Sequence, residues 1–98
     1  MPADAYLLDV RESEEWAAGH APDAVHLPMM EIPARLAEIP ADRDVVVVCR
    51  VGGRSAQVVQ YLRRLGRDNV RNLAGGMTAW AAAGRPIVSE DGGAPQVA

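Results

Sequence analysis

An open α/β fold is predicted for this chain: a small three-layer sandwich, with a parallel sheet of about four strands and helices on both faces. Three observations predict it. The run Val45-Val46-Val47-Val48 is apolar without a break, which fits a strand covered on both faces, whereas a half-exposed strand would alternate. Short apolar runs alternate with helix-length segments, the pattern of βαβ units. The chain has 98 residues, 49% of them hydrophobic, enough for one domain with a modest core. With two Trp, two Tyr and no Phe, aliphatic side chains and alanine must fill most of that core.

Taken in order, residues 1–5 read as a short leader and Tyr6 to Val10 as the first strand. Ser13 is placed to N-cap a short helix, with Glu14 and Glu15 in its first turn and Gly19 at its end. Trp16 is the large apolar residue of that helix and is expected to pack inward. Residues 24–27 form the second strand, bounded by Pro22 and Pro28. Ile32, Leu36 and Ile39 recur at helical spacing, with Pro33 in the first turn and Pro40 as a stop. The valine run is the third strand. Beyond it, Ala56, Val59, Leu62 and Leu65 form the apolar stripe of a helix that Gly66 closes. Residues 69–73 form the fourth strand. Gly75-Gly76 permits a close approach to the loop after the valines, and the last helix carries Trp80 as core. The domain spans 1–88. Residues 89–98, rich in glycine and proline, read as a disordered tail.

The chemistry concentrates where the valine strand ends. Cys49, the only cysteine, is followed by Arg50-Val51-Gly52-Gly53-Arg54-Ser55. Ligands of open α/β sheets bind beyond the carboxyl ends of the strands. Glycines let successive N–H groups turn inward as an anion nest. A helix starting near Ser55 would add its N-terminal N–H groups and dipole, and Arg50 and Arg54 add two charges. A free thiol has a pKa of about 8.5, and such surroundings lower it. Taken alone, a cysteine at a strand end is a small buried hydrophobe. Two arginines around Gly-Gly serve neither strand nor helix, and they favour a nucleophile.

Four motifs in order carry a family resemblance across residues 6 to 88. Cys49 to Ser55 resembles the active-site loop of rhodanese-type sulfurtransferases. Leu7-Leu8-Asp9-Val10-Arg11-Glu12 resembles the first signature of that family, Gly19 to Pro28 its second, and Asn72 to Trp80 its closing motif. The resemblance implies a sulfurtransferase that moves sulfane sulfur from a small anionic, thiosulfate-like donor to a thiophilic acceptor, cyanide or a thiol, including a protein thiol. Cys49 would carry the sulfur as a persulfide. Arg50, Val51, Gly52, Gly53 and Arg54 would bind the donor, and Asp9, Arg11 and Ser55 would support the loop. No metal or organic cofactor is implied. Family members carry a further strand and helix before the Asp-Val-Arg signature. The sequence therefore predicts a minimal or shortened domain, with Tyr6 to Val10 less covered than usual.

Rival readings are weighed by spacing and composition. Cysteine phosphatases and related arsenate reductases resemble this loop but use Cys-x5-Arg. Here Arg54 gives Cys-x4-Arg, a smaller cradle that suits one sulfur atom. A carrier or partner-binding module of the same family is the nearer alternative, since a carrier needs the same persulfide. His20 and His26 are assigned structural or solvated roles, and one cysteine with two dispersed histidines lacks zinc-ligand spacing. Residues 1–48 carry a net charge of −7 and residues 49–88 a net of +6, so a positive field favours small anions near Cys49. Without stacking aromatics among the arginines, nucleic-acid binding is not expected. No signal-like or membrane-spanning run is present and no disulfide is possible within the chain, which predicts a cytoplasmic protein.

Overall fold

The computed structural model describes residues 4–98, so the first three residues of the expected leader lie outside the described part. Four strands run parallel: β1 (Tyr6–Asp9), β2 (Val25–His26), β3 (Val45–Val48) and β4 (Val70–Asn72), in the order β2-β1-β3-β4. Helices α1 (Ser13–Ala18), α2 (Gly53–Arg64) and α3 (Gly76–Ala82) follow β1, β3 and β4. The chain leaves β1 for one neighbour, β2, then returns to the other side as β3. The switch point therefore falls between the carboxyl ends of β1 and β3, where this class of sheet opens a crevice.

Strand alternation sorts the core into two layers. Leu8, Val10, Val45, Val47, Cys49 and Val70 point to one face, with Val58, Val59 and Leu62 of α2 and with Ile32 and Ile39. Leu7, Val46 and Val48 point to the other, against Met77 and Trp80 of α3. All four valines of β3 are buried, as a central strand covered on both sides requires. Trp80 is core, and its indole N–H donates to the Pro86 carbonyl at 2.8 Å.

Several expectations are corrected. Glu12, not Ser13, is the N-cap of α1, and its N–H donates to Glu15 Oε1 at 2.9 Å. Trp16 does not enter the core. It stacks on both the His20 and His26 rings, at centroid distances of 3.5 and 4.9 Å. The segment expected as a helix around Ile32 is two 3₁₀ pieces, Met29–Glu31 and Pro33–Glu38, the second kinked where Arg35 leaves helical geometry at φ −119°. Arg35 binds Glu31 and Glu38 there. Leu65 is 49% exposed, because Gly66 at φ +86° turns the chain away and Arg67 N–H closes on the Leu62 carbonyl. Val58 takes the buried place on α2 instead. β1 is well covered, with Leu8, Asp9 and Val10 fully buried, since it lies between two neighbours rather than at an edge. A cavity of about 210 Å³ does open beside Leu7, between Ala21, Trp80 and Arg85.

Residues 89–98, for which composition suggests a disordered tail, run back along α1. Glu90 and Gln96 N–H groups donate to the Ala17 and Ala18 carbonyls at 2.9 and 3.0 Å. His20 Nε2 meets Glu90 Oε1 at 2.7 Å. Gly19 makes this possible, since a Cβ there would overlap the Gln96 backbone.

Candidate active site

Cys49 follows the last residue of β3, and the loop after it turns its two kinds of backbone group in opposite directions. Its carbonyls face α3: Met77 N–H donates to the Cys49 oxygen at 2.8 Å and Thr78 N–H to the Arg50 oxygen at 2.9 Å. These are N–H groups of the first turn of α3, which have no partner within the helix. The loop amides are thereby left for the sulfur, and Gly52 N–H donates to Cys49 Sγ at 3.1 Å. Two glycines permit the arrangement. Gly52 caps α2 at φ +112°, a region side chains avoid. Gly76, at φ +57°, lies so close that a Cβ would overlap the Cys49 carbonyl oxygen and approach that of Arg50 to 2.6 Å.

Ser55 is not the cap of α2 but lies within its first turn, fully buried, with its hydroxyl 3.3 Å from Sγ. Burial pushes the Cys49 thiol up. The Ser55 hydroxyl and the amides of Ser55, Gly52 and Val51 outweigh it and hold the thiol below its ordinary value. Hydrogen bonds lead this lowering, and the Arg54 charge, which the ionised Cys49 raises in turn, adds to it through space.

Arg54 is placed differently from expectation. Its Nη1 and Nη2 grip Glu15 Oε1 and Oε2 at 2.7 and 2.9 Å. The Arg54 hydrogen bonds hold the Glu15 carboxyl down to about 2, against the pull of partial burial. Glu15 in turn raises Arg54. With that charge committed, Arg50 is the exposed guanidinium of the loop, and among the described residues it makes no ion pair. Val51 is 64% exposed and Gly53 is exposed. Cys49 itself is only 1% exposed, so the loop covers it.

Asp9 and Arg11 form a fully buried bidentate pair rather than a surface one, with bonds of 2.8–3.1 Å. Arg11 Nη2 also donates to the Gly19 carbonyl at 2.7 Å, fastening the end of α1 to β1. Among the described residues, no hydrogen bond joins the two side chains to the Cys49 loop. His26 Nε2 lies 2.8 Å from the Arg11 carbonyl and His20 is bound as above, so neither imidazole meets the thiol. Two residues of the site escape sequence reasoning. Glu15 reads locally as a first-turn acid, and nothing near it points across the chain to Arg54. Asn72 falls within a recognised motif but has no assigned role. Its side chain bonds Ser55 and Gly52.

The site is a thiol that backbone amides and one hydroxyl face, at the switch point of a parallel α/β sheet. The family model for the rhodanese-like domain matches residues 1–83, and the chain belongs to that family. It is 52% identical over 89 residues to a sulfurtransferase of Allochromatium vinosum, covering 91% of this chain and 83% of that protein. A rhodanese-related protein of Thermoplasma volcanium superposes with a TM-score of 0.81 at 32% identity, over 86% of this chain and 83% of that one. A NAD-dependent persulfide reductase of A. fulgidus superposes at 0.70 with 39% identity, over 82% of this chain and 14% of that one. These relatives and the fold support sulfur transfer as the general activity. None of the described helices is long and apolar enough to cross a membrane.

Proposed function

We propose that the protein transfers sulfane sulfur through a persulfide on Cys49. The observation that carries this reading is the inward Gly52 amide at 3.1 Å from Sγ, within a Cys-x4-Arg loop. The Cys49 thiolate attacks the outer sulfur of a thiosulfate-like donor. The donor S–S bond breaks, its electron pair leaves on sulfite, and a Cys49 persulfide forms. The amides of residues 51, 52 and 55 cradle the negative sulfur, as fixed dipoles do for any developing charge. Arg50 guides the donor, while Arg54, held by Glu15, shapes the loop and does not bind substrate. With no second cysteine in the chain, an external nucleophile, cyanide or a thiol, attacks the outer sulfur and restores the thiolate. A similar domain occurs in a NAD-dependent persulfide reductase, which supports persulfide chemistry for this fold.

The depth of the thiol favours one second reading. At 1% exposure, Cys49 is better shielded than a rapidly turning-over nucleophile needs, which suits a carrier that loads once and hands its sulfur to a docked partner. One experiment tests both. Intact mass is measured after thiosulfate treatment, with and without reductant, and again after cyanide. One added sulfur atom, removed by reductant and absent in Cys49→Ser, is the expected result. Multiple turnovers with cyanide support the enzyme, and a single stoichiometric discharge supports the carrier. A protein that takes up no sulfur, or takes it up equally without Cys49, contradicts both.

A further inference from the structure

Asn72 ends β4 beside the active loop and touches the loop at two points. Its Nδ2 donates to the Gly52 carbonyl at 3.3 Å, and its Oδ1 accepts from the Ser55 hydroxyl at 2.5 Å. That same hydroxyl lies 3.3 Å from Cys49 Sγ. A serine hydroxyl has one proton, so it cannot serve both acceptors at once.

With a neutral thiol there is no conflict. The S–H donates to Ser55 Oγ, Ser55 donates to Asn72 Oδ1, and Asn72 donates to Gly52. An ionised sulfur reverses the demand. It requires the Ser55 proton, and Ser55 Oγ then requires a donor. A half-turn of the Asn72 amide supplies one, presenting Nδ2 to Ser55. The turn gives up the Asn72–Gly52 bond and brings Oδ1 toward the Gly52 carbonyl, which keeps the Ala56 N–H at 3.1 Å, and the exposure of Asn72 lets water donate to both oxygens. Among the described residues, the other groups around the sulfur are not free to answer in this way. The amides of Val51, Gly52 and Ser55 are fixed backbone, the Arg54 charge is held by Glu15, and Arg50 is exposed.

We propose that Asn72 is a positioning residue whose amide reverses with the charge on Cys49, keeping the Ser55 proton from the neutral thiol and releasing it to the ionised sulfur. The proposal deepens the reading above and rests on its ionising Cys49, but not on the identity of the donor.

The test is the pH dependence of iodoacetamide alkylation of Cys49 in the full chain. Asn72→Asp presents only acceptors and a negative charge, so it locks the Ser55 proton away from sulfur. The apparent thiol pKa is expected to rise by about one unit or more. In a Ser55→Ala background the relay is gone, and the same substitution is expected to shift the pKa by less than half as much. A rise that is not at least halved in that background is a through-space charge effect and overturns the proposal, as does the absence of any rise. If thiosulfate fails to load sulfur on the unsubstituted protein, the donor reading falls, and the alkylation profiles still decide the role of Asn72.

Discussion

Replacing Glu15 with glutamine removes a carboxylate that holds the active loop from outside through Arg54. The Arg54 bonds take the Glu15 carboxyl from an ordinary value of 4.5 to about 2. At about 1.4 kcal/mol per pKa unit, that gap sets a ceiling of roughly 3 kcal/mol on the pair. The Arg54 side chain is 33% exposed and that of Glu15 16%, so water screens part of the attraction, and about 1–2 kcal/mol is expected. The sign with pH follows from the direction of the shift. A carboxyl whose folded value lies below its unfolded value contributes its full stability above about pH 4.5. The contribution is lost as pH falls from there toward 2, because the unfolded chain takes up the proton first. Urea denaturation followed by circular dichroism, at pH 7 and near pH 2, measures this. Glu15→Gln is expected to cost about 1–2 kcal/mol at pH 7 and close to nothing at the acid end. An equal cost at both pH values would refute the reasoning, since a loss of packing alone does not titrate.

Three further outcomes follow from the same geometry. Gly76→Ala drives a methyl group into the loop carbonyls at a positive φ, and its cost of about 3 kcal/mol or more is read as a lowered thermal midpoint. Gly19→Ala displaces Gln96 from α1; hydrogen exchange at the Gln96 amide is expected to rise several-fold, about 1 kcal/mol of lost local protection. Arg50→Ala leaves iodoacetamide alkylation of Cys49 unchanged but raises the thiosulfate concentration for half-maximal loading about tenfold, the worth of one charge-assisted contact.

What was legible in the sequence is what local chemistry dictates. Four valines specify a doubly covered strand wherever they fall, and Gly52 marks the point where the loop needs a positive φ. The helix around Ile32 was misread because its apolar spacing satisfies α and 3₁₀ turns alike over so few residues. Arg35, drawn to Glu31 and Glu38, sits where the helical geometry breaks. Trp16 was misread because no local rule announces that two imidazoles, one before and one within β2, will stack on it. The Glu15–Arg54 pair spans 39 positions, and it exists because the sheet order sets the end of β1 beside the end of β3. Contacts of that kind belong to topology, and a pattern read along the chain does not contain them.

The fate of the arginines changes what the charge asymmetry means. The basic half of the chain looked like a field converging on Cys49, yet most of its guanidinium groups are occupied. Arg54 holds Glu15, Arg63 donates to the Val70 carbonyl, Arg67 donates to the Ile39 carbonyl, Arg71 faces Asp44, and Arg85 lies over Trp80. Arg63 ties α2 to β4, Arg54 ties α2 to α1, and the donors that hydrogen-bond the sulfur are neutral. For the proposed persulfide, a group held and then surrendered, this is the better arrangement. A guanidinium bound directly to the sulfur would form a charge-assisted bond that the acceptor has to break. Preorganised amides and one hydroxyl stabilise the negative sulfur without reorganising, and they let go of it in single, weaker bonds. The proposed chemistry therefore depends less on how basic the loop is than on α3, whose first-turn N–H groups hold the loop carbonyls and so turn its amides inward.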